Sequence, residues 1–262
     1  MKYSACIEML YQELSFVKRI YAAKKEGFSA VEFWLWQNKD IDAVKRALDE
    51  TGLELAVFQG NIEGRMIDPK DNEVYISGVK KSLETAKKLG AKNLFLMTDI
   101  LKEDRTVLEP PYPISEDDKI RSIRTVLNTL KPLAQEAGVT LVIEPLNIYV
   151  DHKGYYLSHS KPAFELVREI NSKNIKVLYD IYHMQIMEGN IIQTITDNLD
   201  AIGYIHIADV PGRFQPGTGE LNFKNIFRAL RDLKYAGNVG FEFEPKGKTS
   251  EAVLKEVFEI IK

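Results

Sequence analysis

A barrel of eight parallel strands, each followed by a helix, is the fold class this sequence predicts, and three observations predict it. Short apolar runs alternate with longer segments of 3.6-residue periodicity along the whole chain, which is how a parallel sheet with crossover helices reads. Eight such units share 262 residues, about 33 apiece, which suits a (β/α)8 barrel and makes residues 1–262 one domain without a linker. Within several runs polar and apolar residues alternate, so that one face is polar, as it is when side chains converge on a barrel axis. An open doubly wound sheet is the alternative. It would normally carry a Gly-rich phosphate turn after an early strand, and this chain has none.

Taken in order, the strands fall at residues 3–9, 30–36, 53–59, 93–97, 140–144, 175–180, 204–208 and 239–244, with a helix after each. In the second, AVEFWL sends Val31 and Phe33 towards the helices and Glu32 towards the axis. The fifth and sixth stay apolar until a carboxylate closes them, Glu144 in LVIEP and Asp180 in LYDIYHMQ. In the seventh, YIHIAD turns Ile205 and Ile207 outward and His206 inward. In the eighth, Phe241 and Phe243 share the helix-facing side while Glu242 and Glu244 share the other. Gly27, Gly52, Gly90, Gly138 and Gly237 follow helical patterns where a left-handed cap is wanted, and Ser115 before Glu116, Asp117 and Asp118 reads as an N-cap with acids in the first turn.

Glu144, Asp180, His206 and Glu242 therefore stand at the carboxyl ends of four successive strands, 36, 26 and 36 residues apart, the end at which such barrels build active sites. One carboxylate at a strand end is usually a helix cap or a salt-bridge partner. Three carboxylates and an imidazole converging on one axis would repel one another or be stranded without water, since burying an unpaired carboxylate costs several kcal/mol or raises its pKa. A divalent cation resolves the conflict, and an oxygen-rich set with one imidazole suits Mg²⁺, Mn²⁺ or Co²⁺ better than a structural zinc.

Other residues carry weaker signals. His183, three residues after Asp180, either contacts a substrate oxygen or caps the following helix. Arg213, in the polar loop VPGRFQPGTGE, reads as a clamp for an anion or hydroxyl, against the alternative of an ordinary surface arginine. Glu32 either orients a ligand or pairs with a buried lysine. His152 and His159 read as surface or capping residues, and Met184, Met187, Trp34 and Trp36 as lining of the pocket or core.

The segments IEPLN, YDIYHMQIMEG, HIADVPGR, PGTGEL and GFEFEP, with GFSAVEFW nearer the N-terminus, closely resemble the hydroxypyruvate isomerase family within the xylose-isomerase-like barrels. The resemblance covers essentially the whole chain and is strongest from residue 141 onward. It implies a sugar or sugar-acid isomerase or epimerase in which Glu144 and Glu242 are both metal ligands and the acid/base pair, Asp180 and His206 complete the ligand set, and His183 and Arg213 touch substrate. One position departs from the pattern: the enterobacterial hydroxypyruvate isomerases have glutamine at the place of His206, whereas the related ketose 3-epimerases have histidine. The loops at 61–71 and 99–113, in the region that sets substrate choice in such barrels, match no named pattern. The chemistry implied is removal of a proton beside a carbonyl, with metal offsetting the charge on the oxygens and two carboxylates shuttling the proton. A carboxylate substrate needs a cationic anchor, for which Arg213, Arg65 and Lys153 are candidates.

Composition narrows the rest. Net charge is −3 without a basic cluster, so a nucleic-acid partner is disfavoured. An abasic-site endonuclease on this fold would want more histidine ligands and a basic surface, and the chain has four histidines. An amidohydrolase would show His-x-His after the first strand; a Schiff-base aldolase would set a lysine at a strand's carboxyl end, whereas Lys176 begins its strand. A sugar-binding barrel without turnover stays open. Cys6 is the only cysteine, and MKYSACIEML lacks a long apolar stretch, so a cytoplasmic protein of no membrane contact, acting on a small-molecule sugar or sugar acid and compatible with a homodimer or homotetramer, is the expectation.

Overall fold

The computed structural model describes residues 1–262. The strands are β1 Lys2–Cys6, β2 Ala30–Glu32, β3 Glu54–Leu55, β4 Val57–Gln59, β5 Asn93–Leu96, β6 Thr140–Ile143, β7 Ile175–Asp180, β8 Ile202–Ile207 and β9 Asn238–Phe241. Nine helices follow them: α1 Phe16–Lys25, α2 Ile41–Thr51, α3 Asn72–Leu89, α4 Glu116–Ala137, α5 Ser160–Ile170, α6 Ile181–Met187, α7 Ile191–Asn198, α8 Phe223–Asp232 and α9 Ser250–Ile261. All strand pairs are parallel, in the order β3-β2-β1-β9-β8-β7-β6-β5-β4.

β3 and β4 are two halves of the single third run, broken only at Ala56. The Ala56 N–H donates to the Val31 carbonyl at 2.8 Å and the Gln59 N–H to the Trp34 carbonyl at 3.0 Å, so the two ends of the sheet meet and the barrel closes. A closed sheet has no free edge. Most of the core lies between barrel and helices, where Val31, Phe33, Ile205, Ile207, Phe241 and Phe243 all pack. A second, small cluster fills the barrel itself, with Val57, Phe95, Val142, Leu178 and Tyr204 among its members. The alternation read from the runs thus separates outer from inner layers.

Helix punctuation largely follows the expected residues. Asp40 accepts from the Ala43 N–H and Ser115 from the Asp118 N–H at the starts of α2 and α4, while Gly52, Gly90 and Gly138 close α2, α3 and α4 in left-handed conformation. Gly237 does not cap α8: the left-handed residue there is Lys234, and Gly237 instead lies under the Tyr235 ring. Two strands are shorter than the runs suggested. β2 leaves the ladder after Glu32, and β9 ends at Phe241, so Glu244, which alternation placed on the inner face, is exposed. Alternation constrains side chains only while the ladder lasts. No helix is long and apolar enough to cross a membrane.

Candidate metal centre and active-site cleft

Parallel pairing sets four residues at one level. Asp180, the last residue of β7, pairs with His206 of β8, and His206 pairs with Gly240 of β9. Glu144 directly follows β6 and Glu242 directly follows β9. The structure brings together all four residues read from the strand ends: each offers one ligand atom, these atoms lie within 4.8 Å of one another, and every side chain is buried. Asp180 also caps α6, its Oδ1 accepting from the Tyr182 N–H at 2.8 Å.

The arrangement is electrostatically strained without a cation. Burial pushes the Asp180 carboxyl up to about 7, against the pull of the Arg213 guanidinium, and burial raises Glu144 as well. Burial acts on Glu242 in the same sense, but His206 and Arg213 outweigh it and hold that carboxyl well below the usual range. His206 is raised, because Glu242 and Glu32 outweigh the burial that would lower it. Its Nδ1 lies 3.2 Å from Glu242 Oε2 and 3.6 Å from Glu144 Oε1, yet makes no well-directed hydrogen bond. A buried nitrogen aimed at two carboxylates and bonded to neither fits a metal ligand, and three carboxylates with one imidazole form a donor set suited to Mg²⁺, Mn²⁺ or Co²⁺.

Glu32 stands behind this imidazole. Its Oε1 is 3.0 Å from His206 Nε2, and its Oε2 accepts from the Tyr204 hydroxyl at 2.5 Å. Neither Glu32 Oε1 nor His206 Nε2 makes a directed hydrogen bond at this separation; a proton on Nε2 facing Glu32 would leave the Nδ1 lone pair for a cation held by the cluster, as an outer carboxylate orients a ligating imidazole. Of the two sequence readings of Glu32, its place behind His206 agrees with the first, and no lysine meets it. Room for the pair comes from Gly240, where a Cβ would lie 2.5 Å from both Glu32 oxygens and 2.6 Å from His206 Cδ2.

Above the cluster opens a cleft of about 520 Å³. Trp34 Nε1 donates to Glu242 Oε1 at 2.7 Å, and Arg213 Nη2 donates to Glu242 Oε2 at 2.5 Å and to Asp180 Oδ2 at 3.4 Å. The Arg213 guanidinium lies over the Tyr182 ring, 5.1 Å from its centroid. Arg213 is held in left-handed conformation (φ 54) in a loop folded around Asp209, whose buried carboxylate accepts from the N–H groups of Val210, Gly217, Thr218, Gly219 and Leu221. His183 lines the cleft, its Nδ1 accepting from the Asn147 N–H at 3.2 Å and its Nε2 3.5 Å from Asp180.

Some expectations fail. Arg65 is spent on Asp71 and the carbonyls of Leu108 and Glu109, and neither it nor Lys153 lines the cleft, which removes both as substrate anchors. His152, read as a surface or capping residue, is buried in the cleft wall. His159 does occupy the N-cap position of α5, without a side-chain cap bond. Trp34 lines the cleft, Met184 is core and Trp36 packs against the core with its Nε1 donating to Ser82, all as read from the sequence. Nothing in the periodicity marks His152, because it belongs to a loop; Gly240 did carry a signal, since glycine inside a strand marks close approach.

Comparison with known proteins gives the following. Residues 20–262 match the family described as xylose isomerase-like TIM barrel. Hydroxypyruvate isomerase of Escherichia coli (strain K12) is 31% identical over 262 residues, 97% of each chain, and 2-oxo-tetronate isomerase of Cupriavidus necator is 30% identical over 259 residues, 95% of each. A crystal structure from Brucella melitensis described as AP endonuclease, family 2, superposes with a TM-score of 0.89 at 26% identity, covering 98% of each chain.

Proposed function

The chain belongs to the xylose isomerase-like TIM barrel family and is an enzyme of the isomerase class; within that class, we propose that it is metal-dependent and isomerises a 2-oxo sugar acid, hydroxypyruvate or a close relative. The observation that carries this reading is the buried set Glu144, Asp180, His206 and Glu242 at the cleft floor, three carboxylates and one imidazole, of which the two glutamates line the cleft. A divalent ion held by those four residues would polarise the substrate's carbonyl and hydroxyl oxygens and offset the negative charge developing on them.

The chain's own groups then move the proton. Glu144 and Glu242 flank the floor of the cleft, one taking the proton from the hydroxyl-bearing carbon and the other returning one to the neighbouring carbonyl carbon. Trp34 fixes one oxygen of Glu242 and Arg213 the other, so this carboxylate meets the substrate in one orientation. Arg213 and His183 face the same space and contact the substrate's oxygens. The nuclease class named for the Brucella structure finds little support in this chain: its net charge is −3, and only His206 among its four histidines joins the ligand set. Histidine at 206, rather than glutamine, favours ketose 3-epimerisation as the second reading, in which the proton returns to the opposite face of the same carbon.

One experiment separates these. The chelated protein and the protein reloaded with Mg²⁺, Mn²⁺ or Co²⁺ are given hydroxypyruvate, 2-oxo-tetronates and free ketoses in deuterated water. Turnover of a 2-oxo acid only after reloading, with solvent deuterium in the product, is the expected result. Full activity without metal overturns metal dependence, retention of the substrate's hydrogen overturns proton transfer, and turnover of ketoses alone selects the epimerase.

A further inference from the structure

Hydroxypyruvate does not fill the cleft. Its few non-hydrogen atoms, even at the roughly 30 Å³ that each liquid water occupies, take up about 200 Å³, against about 520 Å³ available. The remaining space is walled on one side by polar groups from α6 and from the loops after β6 and β5. His183 comes first, beside Asp180; since its Nδ1 accepts from Asn147, its ring proton is on Nε2. His152 comes next, with the two ring centroids 5.2 Å apart. Its Nδ1 lies 3.0 Å from the Arg105 carbonyl, which can only accept, so the proton is on Nδ1 and Nε2 carries a lone pair. The residue is 6% exposed, burial holds its imidazole below the ordinary pKa and hence neutral, and no protein group bonds its Nε2. Beyond it the Arg105 guanidinium, half exposed, has one carboxylate neighbour, Asp151 at 3.9 Å, which leaves most of its five donors unspent.

Asp151, His152 and His183 lie close enough to suggest a second cation. Their bonding argues against one. Asp151 Oδ2 already accepts from Asn147 Nδ2 and the Tyr182 hydroxyl, both at 2.8 Å, His183 Nδ1 is engaged, and an added cation would face Arg105. An acceptor next to unspent donors is the complement of a hydroxyl group.

We infer that His152 and Arg105 form a distal subsite for the hydroxyl-bearing tail of the substrate, and that the preferred substrate is a 2-oxo sugar acid of four carbons or more. The inference rests on the isomerase reading above. His152 Nε2 accepts the tail hydroxyl's proton, and Arg105 donates to the oxygens beside it. A site that bonds a hydroxyl discriminates against the analogue that lacks it, because a polar atom of the cleft wall then loses its partner.

The test uses the metal-loaded enzyme and three variants. His152→Asn keeps an amide donor for the Arg105 carbonyl but removes the Nε2 acceptor; His152→Gln restores an acceptor near the Nε2 position and gives up the anchor; Arg105→Met removes the guanidinium. In the wild type kcat/KM for a 2-oxo-tetronate is expected to exceed that for hydroxypyruvate at least tenfold. His152→Asn and Arg105→Met are expected to lower that ratio at least tenfold, chiefly through KM for the tetronate, and His152→Gln to recover part of it. A wild type that treats both acids alike, or a His152→Asn variant that loses both in proportion, overturns the subsite, as does a His152→Gln variant poorer in the ratio than His152→Asn. If the wild type turns over neither acid, the 2-oxo-acid reading falls. Calorimetric binding of the same two acids then decides the subsite, with the same tenfold preference expected and equal binding overturning it.

Discussion

Replacing Gly240 by alanine tests how the proposed metal centre is supported without substituting any of its ligands. The added Cβ would lie 2.5 Å from both Glu32 oxygens and 2.6 Å from His206 Cδ2, where ordinary contact begins at 3.4 Å, so these groups must withdraw by most of an ångström. Neither yields freely. Glu32 is held by the Tyr204 hydroxyl and faces His206, and all three side chains are buried. Overpacking of this kind costs about 1–3 kcal/mol, which in a chain of this size lowers the melting temperature by roughly 2–12 °C. Displacing the outer partner of a ligating imidazole weakens metal binding about 10–100-fold. Gly203 supplies the control: it sits at the irregularity in the β7–β8 pairing, and a Cβ there would lie 2.7 Å from Lys176 Cβ, about 10 Å along the strand from His206. Gly203→Ala is expected to lower the melt while leaving Mn²⁺ affinity near the wild-type value. Calorimetric Mn²⁺ titrations and thermal melts of the two variants give both quantities. Wild-type metal affinity in Gly240→Ala would refute the reasoning, and so would an equal loss in Gly203→Ala, which would trace the effect to general loosening.

Two further outcomes follow from the same geometry. Glu144→Gln and Glu242→Gln are each expected to lower turnover by at least about a hundredfold at saturating metal, with KM little changed; single-turnover kinetics in deuterated water then identifies the abstracting carboxylate as the one retained in a variant that still exchanges the substrate's hydrogen, and undiminished turnover in either variant removes that residue from the proton path. Asp180, raised in the folded chain to about 7, binds its proton more tightly there than when unfolded, so its ionisation destabilises the metal-free fold progressively between about pH 4 and pH 7 and fully above. Asp180→Asn is therefore expected to melt at or above the metal-free wild type at pH 8, with the difference shrinking towards pH 4; a variant many degrees less stable at pH 8 would mean that the carboxylate holds the fold together.

The sequence by itself determined the fold class and the floor of the site. Eight alternations of apolar run and helical period dictate a parallel barrel, and the two-residue period of a strand dictates which side chain faces inward, so Glu144, Asp180, His206 and Glu242 could be read as one level before any coordinates. Alternation carries that information as far as the ladders run and no further, which is why Glu244 is exposed; the helix-end pattern points to Gly237, whereas Lys234 takes the left-handed position after α8. Only the tertiary structure decided what surrounds the four residues. Tyr204 reaches Glu32 across 172 residues of chain, Trp34 reaches Glu242 across 208, and the third strand breaks at Ala56 to close the ring. His152 enters the cleft wall because its loop is bonded to the one carrying Arg105, a return path that no period encodes. The physical reason is that local periodicity specifies the face and level of a residue on its own element, whereas a partner from another element is chosen by closure of the barrel and by hydrogen bonds that exist only once it has closed.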